Sequence, residues 1–234
     1  VSAREAIVLA GGKAERLGDA ARGRPKALVP LAGRPLVAYQ IARLAAAGVR
    51  RVIVSCAAGQ EEAFREGLTG VGIDIALAAE PEPLGRGGGL RFAASFRERS
   101  GAVFALNGDE LIDADLTALM AHHERAAAAA TIVVTPLRSA FGVVALDGDR
   151  VTGFEEAPQL PYWVSSGVYV LGEHALERLP ERGDHERSTF PELAAEGRLQ
   201  AYRHDGMWLT VNTPKDLRLA EEYLQEHPDW LSAS

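Results

Sequence analysis

The chain has 234 residues, of which 47% are hydrophobic and 24% charged, with a formal net charge of -7. That composition belongs to a folded globular protein and excludes a disordered, collagen-like or heptad-dominated chain; the acidic balance, without a local basic patch, argues against a sequence-independent grip on nucleic acid. The length suits one core with at most a subsidiary lobe. The apolar stretches fall far short of the roughly 18–20 residues of a membrane span, and the first residues lack the apolar run of a secretory signal, so the expected compartment is the cytoplasm, away from membranes.

Residues 6–10, AIVLA, form a short continuous apolar run closed by Gly11-Gly12, the pattern of a buried parallel strand. A polar loop from Lys13 to Arg24 follows, then a helix on which Val37, Ile41 and Leu44 recur at helical spacing and which Gly48 ends. Strands are expected at 51–55, 73–78 and 102–106, with helices near 61–66 and 89–96 between them, so a four-strand doubly wound sheet is the economical arrangement. After a helix at 115–125 the character changes: 131–137, 141–148, 150–156 and 163–172 are β-rich with short turns, which favours antiparallel or mixed pairing. The alanines at 126–130 read as a helix end or connector. Thr213-Pro214-Lys215-Asp216 has the form of a helix start, with Leu217, Ala220 and Leu224 as its apolar face.

Gly11, Gly12, Arg16 and Lys26 follow the first strand. Glycines there let backbone N–H groups face a polyphosphate, and Arg and Lys from the same loop neutralise its oxygens. The glycines alone would equally suit an ordinary turn, but the accompanying Lys13, Arg16, Arg24 and Lys26 favour a phosphate cradle that matches neither GxGxxG nor GxxxxGK[ST]. Asp109, in Asn107-Gly108-Asp109, stands at the carboxyl end of the strand 102–106, facing the same crevice, and suits Mg²⁺. Glu110, Asp113 and Asp115 read as solvated turn or cap residues. The segments 80–85 and 87–89 either make room for a ligand or face solvent. Glu155, Glu156, Ser165 and Ser166 have groups that bind sugar hydroxyls, as surface residues also do. The single cysteine, Cys56, is expected to be a buried thiol, and the six histidines show no zinc spacing.

Taken together, AIVLAGGKAERL, RPKALVPLAGRPLVAYQIARL, EPEPLGRGGGL, ALNGDELID, GFEEAP, SSGVYVL and GMWLTVNTPKDLRLAEEYL resemble the nucleoside-diphosphate-sugar pyrophosphorylases, or sugar-1-phosphate nucleotidyltransferases, over about residues 5–226. The resemblance implies a Rossmann-like α/β fold, GT-A-like, with a mostly parallel mixed sheet flanked by helices and a small β-rich sugar-binding lobe. It further implies a single nucleotidyltransferase domain over 1–234, with a nucleotide-binding part at about 5–115, a sugar-binding part at about 131–212, and a C-terminal helix at 213–226, too few residues for the left-handed β-helix of some members. The implied reaction is attack of a sugar-1-phosphate on the α-phosphorus of a nucleoside triphosphate, GTP with mannose-1-phosphate being the first expectation, with Mg²⁺ as cofactor. Arg16, Lys26 and Asp109 would be catalytic. Leu9, Ala10, Gly11, Gly12, Glu80, Gly85 and Gly88 would bind nucleotide, and Asn107, Gly142, Glu156 and Ser165 the sugar. Asp109 and Asn212 would hold the metal.

Three segments depart from the family pattern. The segment WxDxGTP reads Trp208-Leu-Thr210-Val-Asn212-Thr-Pro214, so the second metal-binding Asp is Thr210 and the Gly is Asn212. FxEKP reads Phe154-Glu-Glu156-Ala157-Pro158, without its Lys, for which Arg86 or Arg138 would have to substitute. The Asn before AGxY is Ser165. These departures leave open two other readings: a catalytically weak nucleotide-sugar-binding regulatory protein, and a transferase acting on another phosphate such as phosphocholine. A homo-oligomer is compatible with all of them.

Overall fold

The computed structural model describes residues 5–21 and 23–231. In chain order the elements are β1 (Glu5–Leu9), β2 (Pro30–Leu31), β3 (Arg34–Pro35), α1 (Leu36–Ala46), β4 (Arg51–Ala57), α2 (Glu61–Gly67), β5 (Asp74–Glu80), α3 (Gly85–Ala94), β6 (Val103–Asn107), β7 (Glu110–Ile112) and α4 (Leu116–Ala126). There follow β8 (Ala130–Arg138), β9 (Val143–Asp147), β10 (Arg150–Glu155), β11 (Gln159–Leu171), α5 (Glu173–Glu177), α6 (Thr189–Ala195), β12 (Leu199–Arg203), β13 (Trp208–Thr210) and α7 (Pro214–Glu226).

The four strands expected from the first half lie side by side as β6-β1-β4-β5, all parallel. The sheet is wider than those four. Beyond β6 it continues through β11, β8 and β12, giving the order β12-β8-β11-β6-β1-β4-β5, with β11 antiparallel to both its neighbours. Residues are sorted to the two faces with period 2. Ala6 and Val8, Val52 and Val54, Phe104 and Leu106 pack with Val37, Ile41, Phe64 and Leu119 of α1, α2 and α4 on one face. Ile7, Ile53, Val103 and Ala105 pack with Leu90, Leu176, Phe190 and Leu193 of α3, α5 and α6 on the other. Burial on both faces is why these strands read as unbroken apolar runs.

The β-rich region divides. β8 and β11 join the main sheet, whereas β9 and β10 form a two-stranded antiparallel ribbon outside it. Cys56 is fully buried, and burial pushes its thiol up to about 11. The alanine run is a connector: α4 ends at Ala126, Ala127 adopts φ 46, and β8 begins at Ala130.

α3 starts at Gly85, earlier than the expected start at 89. The glycines are helical because the loop 181–185 lies against them: Gly87 and Gly88 donate to the Gly183 carbonyl at 2.8 and 3.2 Å. A Cβ at Gly88 would stand 2.6 Å from the Glu181 carbonyl oxygen, so the backbone itself packs there. At the C-terminal end, Thr213 Oγ1 accepts from Asp216 N at 3.3 Å, and Asp216 Oδ2 accepts from Thr213 N at 2.8 Å, the capping box expected from the sequence. Among the described residues no helix is long and apolar enough to cross a membrane.

Candidate active site

β1 and β6 are adjacent and parallel, with Leu9 opposite Asn107. From β1 the chain adds β4 and β5 on one side before placing β6 on the other, and this reversal of strand order opens a crevice at the carboxyl ends. The two strand ends are tied together where Gly108 N donates to the Leu9 carbonyl at 2.8 Å. A Cβ at position 108 would lie 2.7 Å from that same oxygen, so glycine is what lets the turn close and present Asp109.

The polar loop after β1 folds back over this turn. Lys26 N donates to the Gly12 carbonyl at 3.3 Å, and Ala27 rests against Gly108. The Lys26 side chain is consequently only 10% exposed. Its ammonium donates to Asp109 Oδ2 and, at 2.8 Å, to Asn212 Oδ1. An Arg16 guanidinium nitrogen donates to the same Asn212 oxygen at 2.7 Å. Asn212 is held by the start of α7, its N–H donating to Asp216 Oδ2 at 3.0 Å. Arg16, Lys26, Asp109 and Asn212, four residues from three distant segments, therefore converge.

Glu110 departs from its reading as a solvated turn residue. It is 6% exposed, and its Oε2 accepts from Trp208 Nε1 at 2.8 Å and from Thr210 Oγ1 at 2.7 Å. Burial pushes its carboxyl up to about 8, the neighbouring Asp109 adds to the rise, and the two hydrogen bonds and Lys26 oppose it. Gln40, on α1, donates to the Asn107 carbonyl at 2.7 Å and to the Glu110 carbonyl, fixing the backbone on both sides of Asp109. A carboxylate in a three-residue strand of otherwise buried type, Glu110-Leu-Ile112, was the available sequence signal. Of its neighbours, Asp115 does cap α4, accepting from Ala118 N at 2.8 Å, while Asp113 stands 2.7 Å from His204.

Leu9 ends β1, Ala10 follows it and is buried, and Gly11 and Gly12 are exposed beyond. Glu80 lies beside Gly11: its Oε1 accepts from Ser55 Oγ at 2.6 Å and its Oε2 from Leu84 N at 3.2 Å. Gly85 and Gly88 face the loop 181–185. Asn107 meets Gly167, and Ser165 is half-buried two residues before it. Gly142 sits at the root of the β9–β10 ribbon, where a Cβ would be 3.0 Å from Glu156 Oε2. Arg86 is engaged by Asp184 at 3.4 Å and Glu186 at 2.7 Å, which commits it to the 181–186 segment.

A mostly parallel sheet carrying a basic and acidic cluster at its strand-order reversal defines a protein of the α/β class. The nucleotidyl transferase family model matches residues 5–227, and the chain belongs to that family, on the sugar-1-phosphate nucleotidyltransferase branch, with the GT-A-like fold. It is 34% identical over 224 residues to a mannose-1-phosphate guanylyltransferase of Mycobacterium tuberculosis, covering 91% of this chain and 62% of that protein. To the mannose-1-phosphate guanylyltransferase catalytic subunit beta of Xenopus tropicalis it is 31% identical over 243 residues, covering 97% and 68%. The chain thus spans about two thirds of the length of these relatives. Among solved structures, HddC from Yersinia pseudotuberculosis complexed with GMP-PN superposes with a TM-score of 0.73 at 22% identity, covering 94% of this chain and 99% of that one. The inositol-1-phosphate CTP transferase of T. maritima gives 0.74 at 19% identity, covering 100% and 96%. At these identities the two structures bear on the fold alone.

Proposed function

We propose that the protein transfers a nucleoside monophosphate from a nucleoside triphosphate, GTP first, to a hexose-1-phosphate such as mannose-1-phosphate. The observation that carries this is the convergence of Arg16, Lys26, Asp109 and Asn212 at the crevice between β1 and β6. A phosphate oxygen of the sugar phosphate attacks the α-phosphorus, a P–O bond forms, and the α–β P–O bond breaks in line to release pyrophosphate. No protein nucleophile takes part. Lys26 neutralises charge on the transferring phosphoryl group and Arg16 that on the departing pyrophosphate, while the fixed site holds both reactants in line.

The donor set fits a hard divalent cation. Asp109 Oδ2 and Asn212 Oδ1 both meet one ammonium, so two oxygen donors converge on a single small volume. Among the described residues no group of three His, Cys, Asp or Glu could hold a metal ion, so triphosphate oxygens and water would complete the shell, the usual manner of Mg²⁺. When bound there, Mg²⁺ would neutralise triphosphate charge and polarise the α-phosphoryl group.

Leu9, Ala10, Gly11, Gly12, Gly85 and Gly88 would lie along the nucleotide, with Asn107, Gly142, Glu156 and Ser165 toward the sugar. The names of the relatives support GTP, and so does Glu80, whose acceptor-only carboxylate beside Gly11 is complementary to the adjacent N–H donors on the guanine edge. The test is pyrophosphate release from GTP, UTP, dTTP, CTP and ATP against several sugar-1-phosphates and phosphocholine. Highest turnover is expected with GTP and mannose-1-phosphate. Nucleotide-sugar binding without turnover in any combination would overturn the enzyme reading.

A further inference from the structure

Two pliable segments border the crevice. The start of α3 reads Gly85-Arg86-Gly87-Gly88-Gly89, a run in which Arg86 alone has a side chain, and Gly89 lies beside Leu9 at the end of β1. Glycine backbone is conformationally permissive, so this turn takes its shape from whatever holds it. On the other flank, β11 shifts register against β8 between Ser165 and Tyr169, and Gly167, with φ 76, lies against Asn107 at the end of β6. An irregularity of this kind re-aims side chains and interrupts the ladder, so it too depends on an outside anchor. On the functional reading above, the first segment borders the nucleotide and the second the sugar.

One carboxylate fastens both. Glu186 Oε1 accepts from the Tyr169 hydroxyl at 3.1 Å, and its Oε2 pairs with Arg86 Nη2 at 2.7 Å. Tyr169 is fully buried at the point where regular pairing resumes, and the Ser165 hydroxyl interacts with the same phenol. Asp184 strengthens the α3 side, accepting from Arg86 N at 3.2 Å and Arg86 Nε at 3.4 Å, whereas Glu186 reaches both segments. The turn that presents Glu186 is seated by His185, fully buried against Tyr169 and Phe190. With Arg86 and Glu186 45% and 29% exposed, their ion pair adds little to stability, and its consequence is geometric. Resting on that functional reading, we infer that Glu186 is a positioning residue that sets the nucleotide and sugar sides of the crevice relative to each other. One oxygen fixes the α3 turn through Arg86, and the other fixes β11 through Tyr169.

The experiment measures pyrophosphate release by the full chain from GTP and mannose-1-phosphate, with KM for each substrate and the melting temperature, in three variants. Glu186→Gln keeps an oxygen for Tyr169 but turns an amide toward Arg86. It should raise KM for GTP about 3- to 10-fold, the scale of one hydrogen bond, and leave KM for mannose-1-phosphate within about twofold. Tyr169→Phe removes the other arm and should do the reverse. Glu186→Ala removes both arms, so both KM values should rise and kcat should fall about 10- to 100-fold as the reactants lose alignment. A brace that served the fold alone would lower the melting temperature without this opposite selectivity of Glu186→Gln and Tyr169→Phe. Unchanged KM values in all three variants, or both KM values moving together in each single-arm variant, would overturn the inference and leave the proposed function standing, since the unaltered chain still turns over. If the unaltered chain releases no pyrophosphate from any pair of substrates, the proposed function falls and the inference with it.

Discussion

The crevice between β1 and β6 and the β9–β10 ribbon are built on opposite terms. In the crevice the polar side chains answer one another: Lys26 meets Asp109 and Asn212, Arg16 meets Asn212, and Glu110 meets Trp208 and Thr210. On the ribbon, Val144, Leu146, Val151 and Phe154 share one face through the pairings Leu146–Val151 and Val144–Phe154, and they are 45%, 62%, 58% and 68% exposed. A change in the crevice propagates because each group has several partners from distant segments. A change on the ribbon face meets few neighbours and should act alone.

The strongest way to break the crevice is Lys26→Ala. It removes the cation at the transferring phosphate and leaves Asp109 partly buried beside Asn212 without its counter-charge. Pyrophosphate release should fall by about 10²–10³-fold, the scale seen when one preorganised electrostatic contact is removed. The protein should remain folded, so circular dichroism alongside the rate measurement separates lost chemistry from lost structure. Next comes Gly108→Ala, which sets a Cβ 2.7 Å from the Leu9 carbonyl oxygen. Backbone on both sides has little room to yield, and a loss of about 2 kcal/mol in urea unfolding is expected, together with slower turnover because Asp109 is displaced.

The parallel half was the more legible part of the sequence. AIVLA, RVIVS and AVFAL are apolar on both faces because α1 and α2 cover one side and α3 the other, and that double burial writes itself as unbroken hydrophobic runs. Asp109 could be placed because it follows such a strand, and the capping box at Thr213 because its chemistry is local. Glu110 escaped because its burial comes from β13, about one hundred residues later, and no local pattern announces that pairing. The start of α3 escaped for a similar reason: Gly85, Gly87 and Gly88 look like a flexible loop until the loop 181–185 is laid against them. In the second half, strand character was readable, but which strands join the main sheet is decided by partners distant in sequence.

Behind α3, in the packed body of the protein away from the ribbon, the buried His185 is open to a test by pH. It is fully buried, neither ring nitrogen has a hydrogen-bond partner among the described residues, and it packs edge-on against Tyr169 and Phe190. Its pKa is lowered from 6.5 to about 4, chiefly by burial, with Arg86 contributing to the fall and Glu186 and Asp184 opposing it. Between those two values the unfolded chain binds the proton that the folded one refuses. Stability from this group is therefore complete above pH 6.5 and lost as pH falls toward 4, by about 3 kcal/mol in all. The difference in unfolding free energy between the original chain and His185→Phe, measured across pH 4 to 7, isolates this group from the others; the variant should gain relative stability as the pH drops. Parallel curves would show that the ring is not the source of the slope.

The smallest effect is expected on the ribbon, where Leu146→Ser and Val151→Ser each replace an exposed apolar side chain by a small polar one. If that face lies open to solvent in the working protein, each substitution should change unfolding free energy by no more than about 0.5 kcal/mol and leave pyrophosphate release unchanged. Solubility should improve, because a contiguous apolar face on a two-stranded ribbon is a surface that associates. A larger loss of stability, appearing only at high protein concentration in the unaltered chain's favour, would mean that association covers this face and that the ribbon, like the crevice, depends on residues far from it in sequence. Unfolding measured over a hundredfold range of protein concentration distinguishes the two cases, since only an associating protein gains stability by mass action.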